Sequence, residues 1–122
     1  MAAQTSCLVD ASDPRFAVVR LFGRLDVAGT GAIELPLSEA VDGHTRIAVD
    51  LSRVSYLSSV GLRLLLLAAR AAARRGGLLI VIDPHPNAAR VLHATGFDGL
   101  VRTVPASGIA ACFEQSPDPP AG

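Results

Sequence analysis

Two periods of hydrophobic spacing alternate along this chain. Short, nearly continuous apolar blocks give way to longer stretches in which apolar residues recur every three or four positions. Phe16-Ala-Val-Val-Arg-Leu21 is such a block and predicts a strand halted at Gly23. An earlier strand around Ser6–Val9 is placed to pair with it across the Asp13-Pro14 turn. Beyond Asp26, a candidate N-cap, Ile33, Leu37 and Ala40 mark a helix over 27–41; Gly29, Gly31 and Pro36 predict a late start or a kink, and Asp42-Gly43 an end. Arg46-Ile-Ala-Val-Asp-Leu51 predicts a second strand, which Asp50 closes by capping the following turn. From Gly61 to Arg74 lies the strongest helical pattern. At 100° per residue, Leu62, Leu65, Leu66, Ala69, Ala72 and Ala73 form one apolar face, Arg63, Arg70 and Arg74 a separate stripe, and Leu64 and Leu67 fall outside the core face.

Gly76-Gly77 stops that helix. Leu78–Asp83 has no alternation and predicts a strand buried on both faces. A helix over 86–95 follows, with Ala89, Leu92 and His93 inward, closed by a left-handed Gly96. A strand near Leu100–Val104 and a short helix over 107–113 complete the pattern, and the proline-rich 115–122 predicts a flexible tail. Strands alternating with helices predict one α/β domain over 1–122, with an ordered core at about 5–114 and a largely parallel sheet. In such sheets sites gather at the C-terminal ends of the strands, where the segment from Asp50 to Gly61 falls.

Composition narrows the function. Half of the 122 residues are apolar and the formal charge is zero, which fits a packed core and argues against a chain that coats nucleic acid. All 11 basic residues are arginine, dispersed, with few aromatics to stack bases, so no direct nucleic-acid partner is expected. Cys7 and Cys112 are far apart and outside metal-like spacing, which fits a reducing cytoplasm. The leucine run near Leu64 is too short and too closely flanked by Arg63 and Arg70 for membrane insertion, and no signal-like segment opens the sequence. His44, His85 and His93 lie in separate elements with no metal-like spacing. Leu57-Ser-Ser-Val-Gly61 supplies only the last glycine of a nucleophile elbow, and no phosphate-cradling or dinucleotide loop is present, so no enzyme is expected.

Ser58 and Ser59 stand at the predicted start of the best helix, where unpaired N–H groups and the positive end of the helix dipole lie. Serine there either caps the helix or carries a phosphate, and the pattern alone leaves both open. Asp26 has the same two readings, an N-cap or part of a contact surface.

Asp50-Leu-Ser-x-Val-x-Tyr-Leu-Ser-Ser-Val-Gly-Leu62 resembles the phosphorylation-site motif of STAS domains, specifically bacterial anti-sigma factor antagonists. Gly23-Arg-Leu-Asp26 is similar to that family's Gly-x-Leu-Asp signature, and the segment from Pro86 to Phe97 to its last helix and turn, so the resemblance spans about Phe16–Val104. It implies a STAS-like fold, a mixed and mostly parallel sheet of four to five strands packed against about four helices. It implies a protein that, unphosphorylated, binds an anti-sigma factor with ATP-dependent serine kinase activity and so frees a sigma factor. A serine phosphatase would act on the phosphorylated form, and no cofactor is implied. Aligned on Gly61, the family's phosphoserine falls on Ser59, with Ser58 as second choice because many members carry Asp where Ser58 stands. Asp26, Ser58, Ser59, Arg63, Leu64 and Leu67 are the implied partner contacts. Two alternatives stay open: an accessory STAS subunit of a lipid-transport ATPase, and a nucleotide-binding regulatory module.

Overall fold

The structure is a computed structural model that describes residues 5–115; the predicted tail lies almost wholly outside them. Five strands run in spatial order β1-β2-β3-β4-β5: β1 (Ser6–Asp10), β2 (Ala17–Leu25), β3 (Arg46–Leu57), β4 (Leu78–Ile82) and β5 (Thr103–Val104). The first two form an antiparallel hairpin, and the remaining neighbours pair in parallel. Helices α1 (Val27–Gly43), α2 (Ser59–Arg74) and α3 (Pro86–Ala94) make the parallel crossovers, and α4 (Ile109–Gln115) closes the chain. The expected mixed, mostly parallel sheet with four helices is the fold observed.

The pleat sorts side chains onto two faces. On one, Val19, Leu21, Ile47, Val49, Leu51, Leu79 and Val81 meet Ile33 and Leu37 of α1, Leu65, Ala68 and Ala72 of α2, and Ala88 and Leu92 of α3. On the other, Val18, Ala48, Ile80 and Ile82 are covered by Ile109, Cys112 and Phe113 of α4, with Phe16 stacked on Phe113 at 5.6 Å between ring centroids. β4 thus reads as an unbroken apolar run because both its faces are covered. Cys7 packs into the first cluster and Cys112 into the second, so the sheet separates the two free thiols.

Several expectations need correction. Gly23 does not stop β2: it takes a φ of 99° beside a register shift, and the strand runs on to Leu25. Asp50 does not end β3, which continues to Leu57; what ends at Asp50 is the pairing with β4, while the Asp50 carboxylate accepts a hydrogen bond from the Ser52 N–H at 2.8 Å. Pro36 lies within one continuous helix that starts directly after Asp26. The carbonyl deprived of its partner belongs to Ala32, which is exposed to water. The buried stripe of α2 is Gly61, Leu65, Ala68 and Ala72, with Leu64 half-buried against the core and Ala73 exposed. His93 points to solvent and its Nδ1 lies 3.1 Å from the Asp98 carboxylate; Ala88 and Leu92 form the inner face of α3. Gly96 is left-handed as expected, with φ of 76°. No helix is long and apolar enough to cross a membrane.

Candidate functional site

The last pairs of the β2–β3 ladder are Arg24 opposite Tyr56 and Leu25 opposite Leu57. Both strands therefore release the chain at the same edge, and α1 and α2 begin side by side. Each helix starts with a side-chain cap. The Asp26 carboxylate accepts the Gly29 N–H at 2.8 Å, and the Ser58 hydroxyl oxygen accepts the Gly61 N–H at 3.2 Å. The Ser58 hydroxyl also donates to the Leu25 carbonyl at 2.6 Å, and the Ser58 backbone N–H reaches that same carbonyl at 3.0 Å. Ser58 is thus a clasp between the ends of β2 and α2, half-buried and fully engaged.

Gly61 explains how closely the clasp is drawn. A Cβ there would lie 2.8 Å from Leu25 Cβ and 2.9 Å from the Leu25 carbonyl oxygen, inside any real contact distance. The same crowding governs the start of α1, where a Cβ on Gly29 would overlap the Arg24 carbonyl.

Ser59 has the opposite character. It is the first residue of α2, exposed, and its hydroxyl has no hydrogen-bond partner among the described residues. The first turn of α2 carries no acidic side chain, so its positive end is not offset there. Around it lies an apolar surface: Val60 and Tyr56 are each 42% exposed and Val27 73%. Arg24 crosses this surface, its guanidinium 4.3 Å from the Tyr56 ring centre and its Nε 3.7 Å from Asp26 Oδ2.

Of the expected contact residues, Asp26, Ser58 and Ser59 come together at this crest. Arg63 follows one turn along α2, exposed and without an ion-pair partner among the described residues. Leu64 and Leu67 point elsewhere: with Leu37 and Val41 they line a groove of about 340 Å³ between α1 and α2, where Leu64 is half-buried and Leu67 45% exposed. Arg24, Tyr56, Val27 and Val60 belong to the site and are not among the residues expected from sequence. The usable signal was the ladder register that sets Arg24 opposite Tyr56, which requires knowing how far both strands extend. Among the described residues no three His, Cys, Asp or Glu side chains are placed to hold a metal ion.

Comparison with known proteins gives a consistent picture. A sequence model described as "Mlab, STAS domain" matches residues 8–102. A Bordetella bronchiseptica protein, named "Putative anti-sigma factor antagonist BtrV", is 35% identical over 78 residues, 63% of this chain and 67% of that protein. The crystal structure of an anti-sigma factor antagonist from Mycobacterium paratuberculosis superposes with a TM-score of 0.83 at 25% identity, covering 94% of this chain and all (100%) of that one. The Bacillus cell fate determinant SpoIIAA, in the phosphorylated form, superposes with a TM-score of 0.67 at 25% identity, covering 91% of this chain and 100% of its own.

Proposed function

The chain belongs to the STAS domain family, and from that membership we propose that it is an anti-sigma factor antagonist switched at Ser59. In its unphosphorylated form it binds an anti-sigma factor that is also an ATP-dependent serine kinase and thereby releases a sigma factor in the cytoplasm. Phosphorylation of Ser59 ends the complex, and a serine phosphatase restores it. The protein itself catalyses nothing.

The observation that carries this reading is the division of labour between adjacent hydroxyls. Ser58 is held by Leu25 and Gly61, and a phosphate on it would sever the clasp between β2 and α2. Ser59 is exposed and unengaged, open to a kinase without any local unfolding. A phosphate there adds about −1.5 to −2 charge at neutral pH. The first turn of α2 favours that charge by roughly 0.3–1 kcal/mol per unit when exposed. Arg63, at i+4 on the same helix, is spaced to pair with it. The free domain therefore tolerates modification, and the penalty falls on the complex. A partner resting on Val60, Tyr56 and Val27 would have to bury the phosphate, and Arg63 would already be engaged. An uncompensated buried charge costs on the order of 3–5 kcal/mol, which corresponds to more than about 100-fold in affinity.

Incubation with ATP and candidate serine kinases from the same cell, followed by mass spectrometry, tests the assignment. Phosphate is expected on Ser59, absent in S59A, and the phosphorylated protein is expected to lose the kinase. Phosphate on Ser58, or undiminished labelling of S59A, would overturn it. The matching family model is described by Mlab and not by an antagonist. That description favours one second function, a subunit that docks the same crest on a lipid-transport ATPase. Co-purification with a transport ATPase, together with S59D binding it as well as wild type, would establish that function instead.

A further inference from the structure

The end of the domain opposite Ser59 holds a cleft of about 390 Å³, formed where the turn between β1 and β2, the start of β3 and the C-terminal ends of α1 and α2 converge. Arg75 directly follows α2, and the 16 residues of that helix, at about 1.5 Å each, set the cleft about 24 Å from the phosphorylation crest. Arg15, Arg46, Arg75 and His44 line it against a single carboxylate, Asp13. That carboxylate is neutralised by Arg15, whose Nη2 and Nε lie 2.8 and 3.1 Å from its two oxygens. Arg75 spends only Nη1 on protein, donating to the Val41 carbonyl at 3.3 Å and to Asp42 at 3.4 Å; its Nε and Nη2 have no partner among the described residues. The His44 ring meets the Ala40 carbonyl through Nδ1 at 2.9 Å, so that nitrogen carries the hydrogen. Phe16, backed by Phe113, supplies an apolar wall.

The C-terminal ends of two helices would ordinarily repel an anion. Here their carbonyls are answered from within: Ala40 by His44, Val41 by Arg75, and Ala72 and Ala73 by the N–H groups of Arg75, Gly76 and Gly77. The cationic lining is left to face the cleft. We propose that this cleft binds a small phosphate-bearing anion, inorganic phosphate or a phosphomonoester, gripped by the guanidinium groups of Arg75 and Arg46, with Phe16 beside any organic substituent. Guanidinium forks match phosphate oxygens in pairs, and the volume falls at the small end of the range for ligand sites.

The test is amide NMR of the ¹⁵N-labelled full chain, titrated at neutral pH and constant ionic strength with inorganic phosphate, with phenyl phosphate, and with chloride as reference. Saturable shifts are expected at 11–16, 43–46 and 75–77 with both phosphates and not with chloride. Tighter binding of phenyl phosphate, with shifts at Phe16, would assign the site to phosphomonoesters; equal or weaker binding would assign it to inorganic phosphate. R75Q should weaken binding about tenfold or more, and S59D should leave it unchanged. If R75Q loses its native spectrum, R46Q serves in its place. Shifts that rise linearly without saturating, shifts centred on the start of α2, or unchanged affinity in a folded R75Q or R46Q protein would each overturn the proposal.

Discussion

Replacing Ser58 by Ala and Ser59 by Ala removes one hydroxyl from each of two adjacent residues, yet the consequences for stability should differ sharply. S58A deletes the cap on α2, which leaves the N–H of the buried Gly61 without its acceptor. Loss of an N-cap serine costs about 1 kcal/mol. It also deletes the hydrogen bond donated to the Leu25 carbonyl, but that oxygen keeps the Ser58 N–H at 3.0 Å, so no acceptor is stranded. The lower end of the usual net value, about 0.5 kcal/mol, is appropriate there. The sum is about 1.5 kcal/mol. For a domain of this size, one kcal/mol moves Tm by roughly 3–6 °C, so S58A should melt about 4–9 °C below wild type. S59A removes a hydroxyl with no partner among the described residues and places a better helix former at the first position of α2, so it should stay within about 0.5 kcal/mol of wild type.

Thermal and urea unfolding followed by circular dichroism measure both variants, and phosphate incorporation is read on the same samples. S58A should be destabilised yet remain a kinase substrate; S59A should be stable and inert to the kinase. Equal stability of the two variants would refute the clasp assigned to Ser58. A folded S58A that takes no phosphate, with S59A still modified, would reverse the assignment of the switch.

Three further outcomes follow from the same geometry. G61A forces a Cβ to within 2.8 Å of Leu25 Cβ and must push α2 away from β2; destabilisation by about 1–3 kcal/mol is expected in urea unfolding. L65A opens a cavity at a fully buried position of α2 and should cost about 2–5 kcal/mol by the same measurement. The Arg15 guanidinium, hydrogen-bonded to Asp13, holds that carboxyl down at about 2, below the ordinary value of about 3.9. Because the folded-state value is the lower one, the stabilisation from this pair is complete above about pH 4 and disappears as pH falls towards 2. Carboxyl ¹³C NMR should place the Asp13 midpoint near 2, and R15Q should return it towards the ordinary range.

Much of the fold is legible in the spacing of apolar residues because most strands and helices bury one continuous stripe or both faces. The failures cluster where that link is broken. Beyond Asp50, β3 has only β2 as a neighbour, and Arg53, Ser55 and Tyr56 are exposed, so a strand of 12 residues looks like six residues followed by a turn. In α1, Gly29 looks like a helix breaker but is demanded by the carbonyl of Arg24. On α2 the buried arc is rotated towards Gly61, Leu64 and Ala68 because the helix packs against α1 as well as the sheet. A hydropathy wheel gives Gly61 no weight, though it is the closest point of contact.

The candidate site shows the same division at finer grain. Sequence marks a pair of serines at a helix start but cannot say where the helix begins, and one residue of phase decides everything. The N-cap residue has extended backbone and turns its oxygen back onto the helix. The next residue is already helical and exposed, free to meet a kinase. What fixes the phase is remote: Ser58 bonds to Leu25, 33 positions earlier, at the point where β2 and β3 release the chain together. Arg24 and Tyr56 were hidden for the same reason, since their contact exists only in the ladder's register. A serine at the alternative position would still cap or still be modified, but the same hydroxyl cannot do both. The Ser-Ser pair gives the chain one residue for each task, so a phosphate can come and go at Ser59 while Ser58 keeps α2 anchored.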